Sequence, residues 1–334
     1  MRVHVQTGYG QTAKNIALIE QPEPKPGAND VVVAVHAASL NPIDYKIVHG
    51  LMRRVRALKF PSPMGFDGSG VVSAAGKNAK KFKVGDAVFF RAPIERRGSF
   101  AESIAIEERY VAAKPASLSH GDAASLPLVG LTTLQGVTNR AKAKAGQTIL
   151  IHAGSGGVGT FAVQYAKAIG LHVTSTTSSR NVDLVRSLGA DVVVPYDKED
   201  YRARGDRYDI VFDMLGGDTL MDAFKVVKRG GSVISIAGPP TAEVARQVKA
   251  GLFIRMAMAF MRRKVMAAAR QAGASYFGYL TESNGPELEQ IAALTEAGKL
   301  RAVIDKTFPF TDLAGAFAHL ETGRARGKVN LQVR

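Results

Sequence analysis

The chain of 334 residues contains no cysteine. That absence excludes disulfides, thiolate zinc sites, iron–sulfur clusters and a cysteine nucleophile. Long apolar runs are missing too: none reaches the roughly 18 residues of a membrane span. The opening segment, MRVHVQTGYGQTAKN, has one arginine and no continuous apolar stretch, so no secretory signal is expected and the default compartment is cytoplasmic. Internal repeats and low-complexity segments are lacking. Acidic residues are scarce beside basic ones, 29 against 44, which leaves a formal charge of +15. Such a surplus steers a protein toward nucleic acid, anionic lipid or a phosphorylated cofactor, yet it serves solubility equally well and identifies no site.

What is present is enough sequence for two domains, at about twice the roughly 150 residues of one. Up to about residue 125, short β-rich runs such as VVVAVHAASL (31–40), GVVSAAG (70–76) and DAVFFRA (86–92) alternate with turn clusters such as PEPKPGAND. That half reads as a compact, mostly β domain. From about residue 126 the rhythm becomes strand, helix, strand. TILIH (148–152), HVTST (172–176), DVVVP (191–195), YDIVFDM (208–214) and GSVISIAG (231–238) are separated by helical segments, the pattern of a doubly wound parallel sheet. Beyond residue 282 a helix, strand, helix and strand extend no parallel repeat and are assigned back to the first domain. The expected division is 1–125 with 282–334, and 126–281.

Gly154, Gly156 and Gly159 form G-x-G-x-x-G, with Gly157 as a fourth glycine, between a predicted strand and a predicted helix. Glycines at this spacing permit a tight turn, let backbone N–H groups approach a pyrophosphate, and bring the helix close to the strand. The helix N-terminus then faces the anion. A dinucleotide is expected here. NAD-binding sites place an acid about 20 residues on, for the ribose 2′-hydroxyl. The corresponding VTSTTSSRN (173–181) contains none. The hydroxyls of Thr176, Ser178 and Ser179 and the cation of Arg180 suit a 2′-phosphate, so NADPH is the expected cofactor. The alternative is that Arg180 only solvates a helix start.

Between residues 241 and 273 lies TAEVARQVKAGLFIRMAMAFMRRKVMAAARQAG, with seven basic residues from Arg246 to Arg270 and one acid, Glu243. Such a segment suits peripheral contact with an anionic membrane. The favoured reading is a helix over the substrate cleft, its methionines filling irregular space.

Six blocks in order, NPIDYK (41–46), PMGFDGSGVV (63–72), FKVGDAVF (82–89), AASLPLVGLTTLQGV (123–137), AGSGGVG (153–159) and GADVVVPYDKE (189–199), resemble the medium-chain dehydrogenase/reductase superfamily, specifically its zinc-free quinone oxidoreductase and enone reductase branch. The resemblance implies an α/β protein with a GroES-like β-barrel catalytic domain and a Rossmann nucleotide-binding domain. It also implies a cleft between them for substrate and nicotinamide, and a homodimer. Zinc-dependent relatives carry Cys in the first block and a G-H-E triplet in the second. Here Asp44 lies near the first and Gly65, Phe66 and Asp67 stand at the triplet, the structural-zinc lobe is missing, and the seven histidines are scattered. No metal is expected. Alcohol oxidation in those relatives relies on zinc to hold an alkoxide, whereas a quinone or α,β-unsaturated carbonyl is electrophilic already.

Carried over position by position, the resemblance puts Asn41, Asp44 and Lys46 beside the nicotinamide. Lys46 is the first choice to stabilise an oxyanion. Tyr45 is the second. Thr133 is expected at the phosphate or nicotinamide side, Ser155, Gly156, Gly157 and Val158 at the pyrophosphate, Tyr196 at the adenosine end and Gly238 by the nicotinamide. Asp213 ends an apolar strand where ligands bind, or else caps the next turn. Many relatives carry Lys where this chain has Asn181. The function expected is NADPH-dependent, zinc-independent reduction of a quinone, or of the C=C bond of an enone or alkenal. The rival reading is a cofactor-binding protein with an RNA- or membrane-surface role and little turnover, nucleic acid being the less favoured partner. Acceptor size is expected to depend on the loop at 49–63 and the methionine-rich segment.

Overall fold

The computed structural model describes residues 1–51, 53 and 57–334. Residues 52 and 54–56, within the 49–63 loop, lie outside the described residues. The chain divides into two compact units, Met1–Leu131 with Glu282–Arg334, and Thr132–Thr281.

The second unit is built on six strands: β1 (Thr148–Ile151), β2 (His172–Thr177), β3 (Val192–Pro195), β4 (Tyr208–Asp213), β5 (Val227–Ser235) and β6 (Ser275–Gly278). All five pairings are parallel, in the spatial order β3-β2-β1-β4-β5-β6. This is the doubly wound Rossmann order. Ile149, Leu150, Ile151, Ile210, Val211 and Phe212 are buried in the two central strands, which explains their unbroken apolar runs. Strand order reverses between β1 and β4, so the loops after these two strands leave in opposite directions and open a crevice at their carboxyl ends. β6 escapes sequence reading because YFGY is short and follows a long helical segment. β5 ends at Ser235, so Gly238 lies in the loop beyond it.

The first unit is a β-barrel of the GroES-like kind. Asp30–Leu40 is its central strand, pairing with Asp67–Ala75 along its length, with Ser103–Glu107 near its start and with Lys328–Gln332 near its end. Its burial on both faces requires the continuous run VVVAVHAASL. Ile304–Pro309 pairs in parallel with Lys328–Gln332 across the helix Leu313–Glu321. The last segment of the chain thus completes a sheet begun near residue 30, around a core that includes Val33, Val35, Phe90, Phe100, Phe317 and Leu331.

The methionine-rich segment forms the 21-residue helix Leu252–Ala272. Its inward face is Met258, Val265 and Ala269. Leu252 (71% exposed), Phe253 (85%), Met256, Phe260 and Met261 face solvent. The helix is as expected, but the packing role holds for only part of its methionines: Met258 is buried and Met266 half-buried, while Met256 and Met261 are exposed. Among the described residues, no helix is long and apolar enough to cross a membrane.

Candidate functional site

The glycine loop leaves β1 through His152 and is stitched to the end of β2. Gly154 N–H donates to the Thr176 carbonyl at 2.8 Å, and Ala153 N–H to Thr176 Oγ1 at 3.3 Å. Ala153 holds φ at +51°, a left-handed conformation that a non-glycine residue adopts at a cost of about 1–2 kcal/mol. A Cβ on Gly154 would lie 2.1 Å from Ser175 Oγ, and one on Gly159 would lie 2.1 Å from the Ala153 carbonyl oxygen. These two glycines serve close packing. On Gly156 the nearest atom would be the Ala153 oxygen at 3.4 Å, an ordinary contact. Space therefore remains in front of Gly156, and the helix Gly157–Ala168 begins there without a side-chain cap on its first amides. A loop with room for an anion and uncapped helical N–H groups fits a pyrophosphate.

At the end of β2, hydroxyls cluster around Ser155. Thr177 Oγ1 donates to Ser155 Oγ at 2.9 Å, and Asn181 Nδ2 reaches Ser155 Oγ at 3.0 Å and Ser178 Oγ at 3.2 Å. Asn181 Oδ1 is buried without a partner. Arg180 is exposed and forms no hydrogen bond or ion pair among the described residues. Tyr196, 64% exposed, is fixed by its N–H to the Thr177 carbonyl at 2.9 Å. The Thr176 oxygen accepts Ala153 N–H, an interaction that does not use the hydroxyl proton. Asp197 stands beside this cluster: its carboxylate accepts from Ser179 Oγ at 2.7 Å and Ser179 N at 2.8 Å. The Ser179 hydroxyl, above all, holds this carboxyl below the usual range. Asp197 lies in the turn after β3, so a search along VTSTTSSRN misses it.

Asp213, at the end of β4, is fully buried and caps its own turn. It accepts from Ser235 Oγ at 2.7 Å, from the amides of Leu215 and Gly216 at 3.1–3.2 Å, and from His152 Nδ1 at 3.3 Å. Burial pushes its carboxyl up, but His152 and Ser235 outweigh that and leave it below the usual range. The pair ties the last residue before the glycine loop to the end of β4, a positioning role that neither residue's sequence context announced. Gly238 packs so tightly that a Cβ would lie 2.3 Å from Tyr276 Oη and 2.9 Å from Ser235 Oγ. Thr133 is fully buried at the end of the helix Pro127–Leu134, which continues as the π-helical turn Gln135–Arg140.

In the barrel unit, NPIDYK starts the helix Pro42–Val48. Asn41 is its N-cap, Pro42 its first residue, and Asp44 accepts the Asn41 N–H at 2.8 Å, the N3 half of a capping box. Asn41 Nδ2 donates to Asp67 Oδ2 at 2.9 Å, and Asp67 Oδ1 accepts Leu128 N–H at 3.0 Å. Into this cluster projects Lys328, from the last strand. Its ammonium donates to the Leu40 carbonyl at 2.9 Å and to Asn41 Oδ1, and lies 3.5 Å from Asp67 Oδ2. Burial pushes Asp67 up and Lys328 down, each opposed by the other's charge. Burial raises Asp44 to about 7, with Oδ1 left unpartnered. Asn41 and Asp44 thus find their partners inside the fold and hold the loop. Tyr45 is half-buried against the core, and Lys46 is exposed.

Among the described residues no group of three His, Cys, Asp or Glu side chains could hold a metal ion, and the Asp67 carboxylate is met by an ammonium.

A GroES-like barrel with a Rossmann sheet of this order defines an oxidoreductase of the alcohol dehydrogenase class. The alcohol dehydrogenase GroES-like domain family matches residues 27–116, and the family described as zinc-binding dehydrogenase matches residues 188–331. A mitochondrial NAD(P)H oxidoreductase of Bos taurus is 35% identical over 331 residues, covering 91% of this chain and 82% of that protein. The chloroplastic NADPH-dependent alkenal/one oxidoreductase of Arabidopsis thaliana is 34% identical, covering 98% and 78%. The solved quinone oxidoreductase of Coxiella burnetii superposes with a TM-score of 0.86 at 33% identity, covering 100% and 99%. The chain belongs to the medium-chain dehydrogenase/reductase family, in its quinone oxidoreductase and enone reductase branch.

Proposed function

We propose that this protein reduces quinones, or the C=C bond of enones and alkenals, with NADPH and without a catalytic metal. The observation that carries this reading is the glycine turn before the helix Gly157–Ala168, where a Cβ on Gly156 would meet no atom nearer than 3.4 Å and the first helical amides have no side-chain cap. Relatives named as NADPH-dependent alkenal/one oxidoreductase and 2-methylene-furan-3-one reductase support it. The cofactor supplies a hydride. A conjugated acceptor fits this reading, because conjugation makes it electrophilic without a Lewis acid. Ser178 and Arg180 favour the phosphorylated cofactor. The Lys46 ammonium stabilises the oxyanion that develops, and the proton that completes reduction comes from it or from water. Steady-state NADPH oxidation over a panel of quinones, enones and alkenals, with and without chelator, tests this. Activity that survives chelation is expected; a protein that binds no NADPH and oxidises none with any acceptor ends the reading.

A second reading is favoured by the exposed face of Leu252–Ala272: peripheral binding to an anionic membrane. Leu252, Phe253, Met256 and Phe260 form an apolar stripe beside Arg255, Arg262, Arg263 and Lys264. Flotation with anionic rather than neutral vesicles is expected. Equal, background-level recovery with both kinds of vesicle removes it.

A further inference from the structure

Asp197 stands at the ribose end of the dinucleotide site by a simple consequence of sheet register. β2 and β3 are parallel, with Thr177 opposite Pro195. Two residues beyond each strand come Ser179 and Asp197, and their loops meet. The contact is two-pronged: one carboxylate oxygen takes the Ser179 amide at 2.8 Å, the other takes its hydroxyl at 2.7 Å. These are the donors that a 2′-phosphate at the end of β2 would seek. A phosphate must displace the carboxylate or lie beside it, and like charges that close repel. A ribose 2′-hydroxyl instead can donate to a carboxylate, the role an acid plays in NAD sites. Arg180, adjacent in sequence, exposed and without an ion pair among the described residues, pulls the other way.

We propose that Asp197 is a cofactor-specificity residue of this enzyme: by holding both donors of Ser179 it restrains the preference for NADPH, so that NADH is accepted as well. Arg180 supplies the opposing attraction for the 2′-phosphate. The proposal rests on the reading of this site as a nicotinamide dinucleotide site.

The test is fluorescence titration of the full-length protein with NADPH and with NADH, for the wild type and for Asp197→Asn, Asp197→Ala and Arg180→Gln. Wild type is expected to bind both. Either Asp197 variant is expected to raise the NADPH-over-NADH affinity ratio by about tenfold. Most of that change should lie in NADPH binding and should shrink as salt is added. Arg180→Gln should move the ratio the opposite way. An unchanged ratio in both Asp197 variants overturns the proposal. So does a parallel loss of both cofactors, which would show that Asp197 only orders the turn. Wild type that binds neither cofactor overturns the dinucleotide reading itself, whereas wild type that binds NADPH alone overturns only the role of Asp197.

Discussion

Lys328 Nζ lies 3.5 Å from Asp67 Oδ2, with both side chains buried in the barrel and Asn41 hydrogen-bonded to each of them. Removing one partner leaves an unpaired buried charge. Lys328→Met is therefore expected to cost about 3–5 kcal/mol, whereas adding Asp67→Asn should recover much of the loss. Urea denaturation of the two single variants and the double variant measures the coupling. Strict additivity would show that the pair is not a unit.

Asp44 gives stability a pH dependence of definite sign. Its carboxyl rises from 3.8 to about 7 on folding, so between these values the folded protein binds more protons than the unfolded chain. Stability from this group falls as pH increases from 4 to 7 and then levels off. Asp44→Asn keeps an acceptor for Asn41 N–H and cannot ionise. Its melting temperature relative to wild type is expected to improve by a few degrees between pH 5 and pH 8.

His120 predicts the opposite slope. Burial, the His36 ring at 4.4 Å and Lys114 push it down to about 4. The folded state then resists a proton that the unfolded chain accepts, and stability is lost as pH falls from 6.5 toward 4. Replacement by Gln should flatten the melting-temperature profile over that window while leaving it unchanged at pH 8.

Two glycines of one loop should fail differently. Gly156→Ala introduces a Cβ whose nearest neighbour is at 3.4 Å, so it should fold normally. In the proposed site it should weaken NADPH binding by about tenfold or more by filling the anion space. Gly159→Ala drives a Cβ to 2.1 Å from the Ala153 oxygen, and its melting temperature should drop. Thermal melts beside cofactor titrations separate the two effects.

Lys46→Met tests the oxyanion role. A drop in kcat on the order of 10²-fold, with NADPH affinity retained, is expected if the ammonium acts on the reacting oxygen. An unchanged kcat would assign stabilisation elsewhere.

Local patterns made much of this molecule legible. Unbroken apolar runs marked buried central strands, and glycine spacing marked the tight turn between β1 and the helix Gly157–Ala168. Those signals are short-range: each residue's backbone or burial requirement is visible in its immediate neighbours. The site's electrostatics were not legible in the same way. Lys328 reads as an ordinary charge opening KVNLQV until that strand pairs with Asp30–Leu40 and carries its ammonium to Asn41 and Asp67. Asp197 reads as part of a surface turn until the register of β2 and β3 sets it on Ser179. His152 and Asp213 are 61 residues apart and meet only because β1 and β4 are neighbours.

The sequence by itself determined the α/β architecture and the place of the glycine turn, because hydrophobic periodicity and glycine geometry are local properties of the chain. Only the tertiary structure decided which charges face one another. Parallel and antiparallel register brings together residues whose separation along the chain carries no signal, and pairwise electrostatics depends on distance in space.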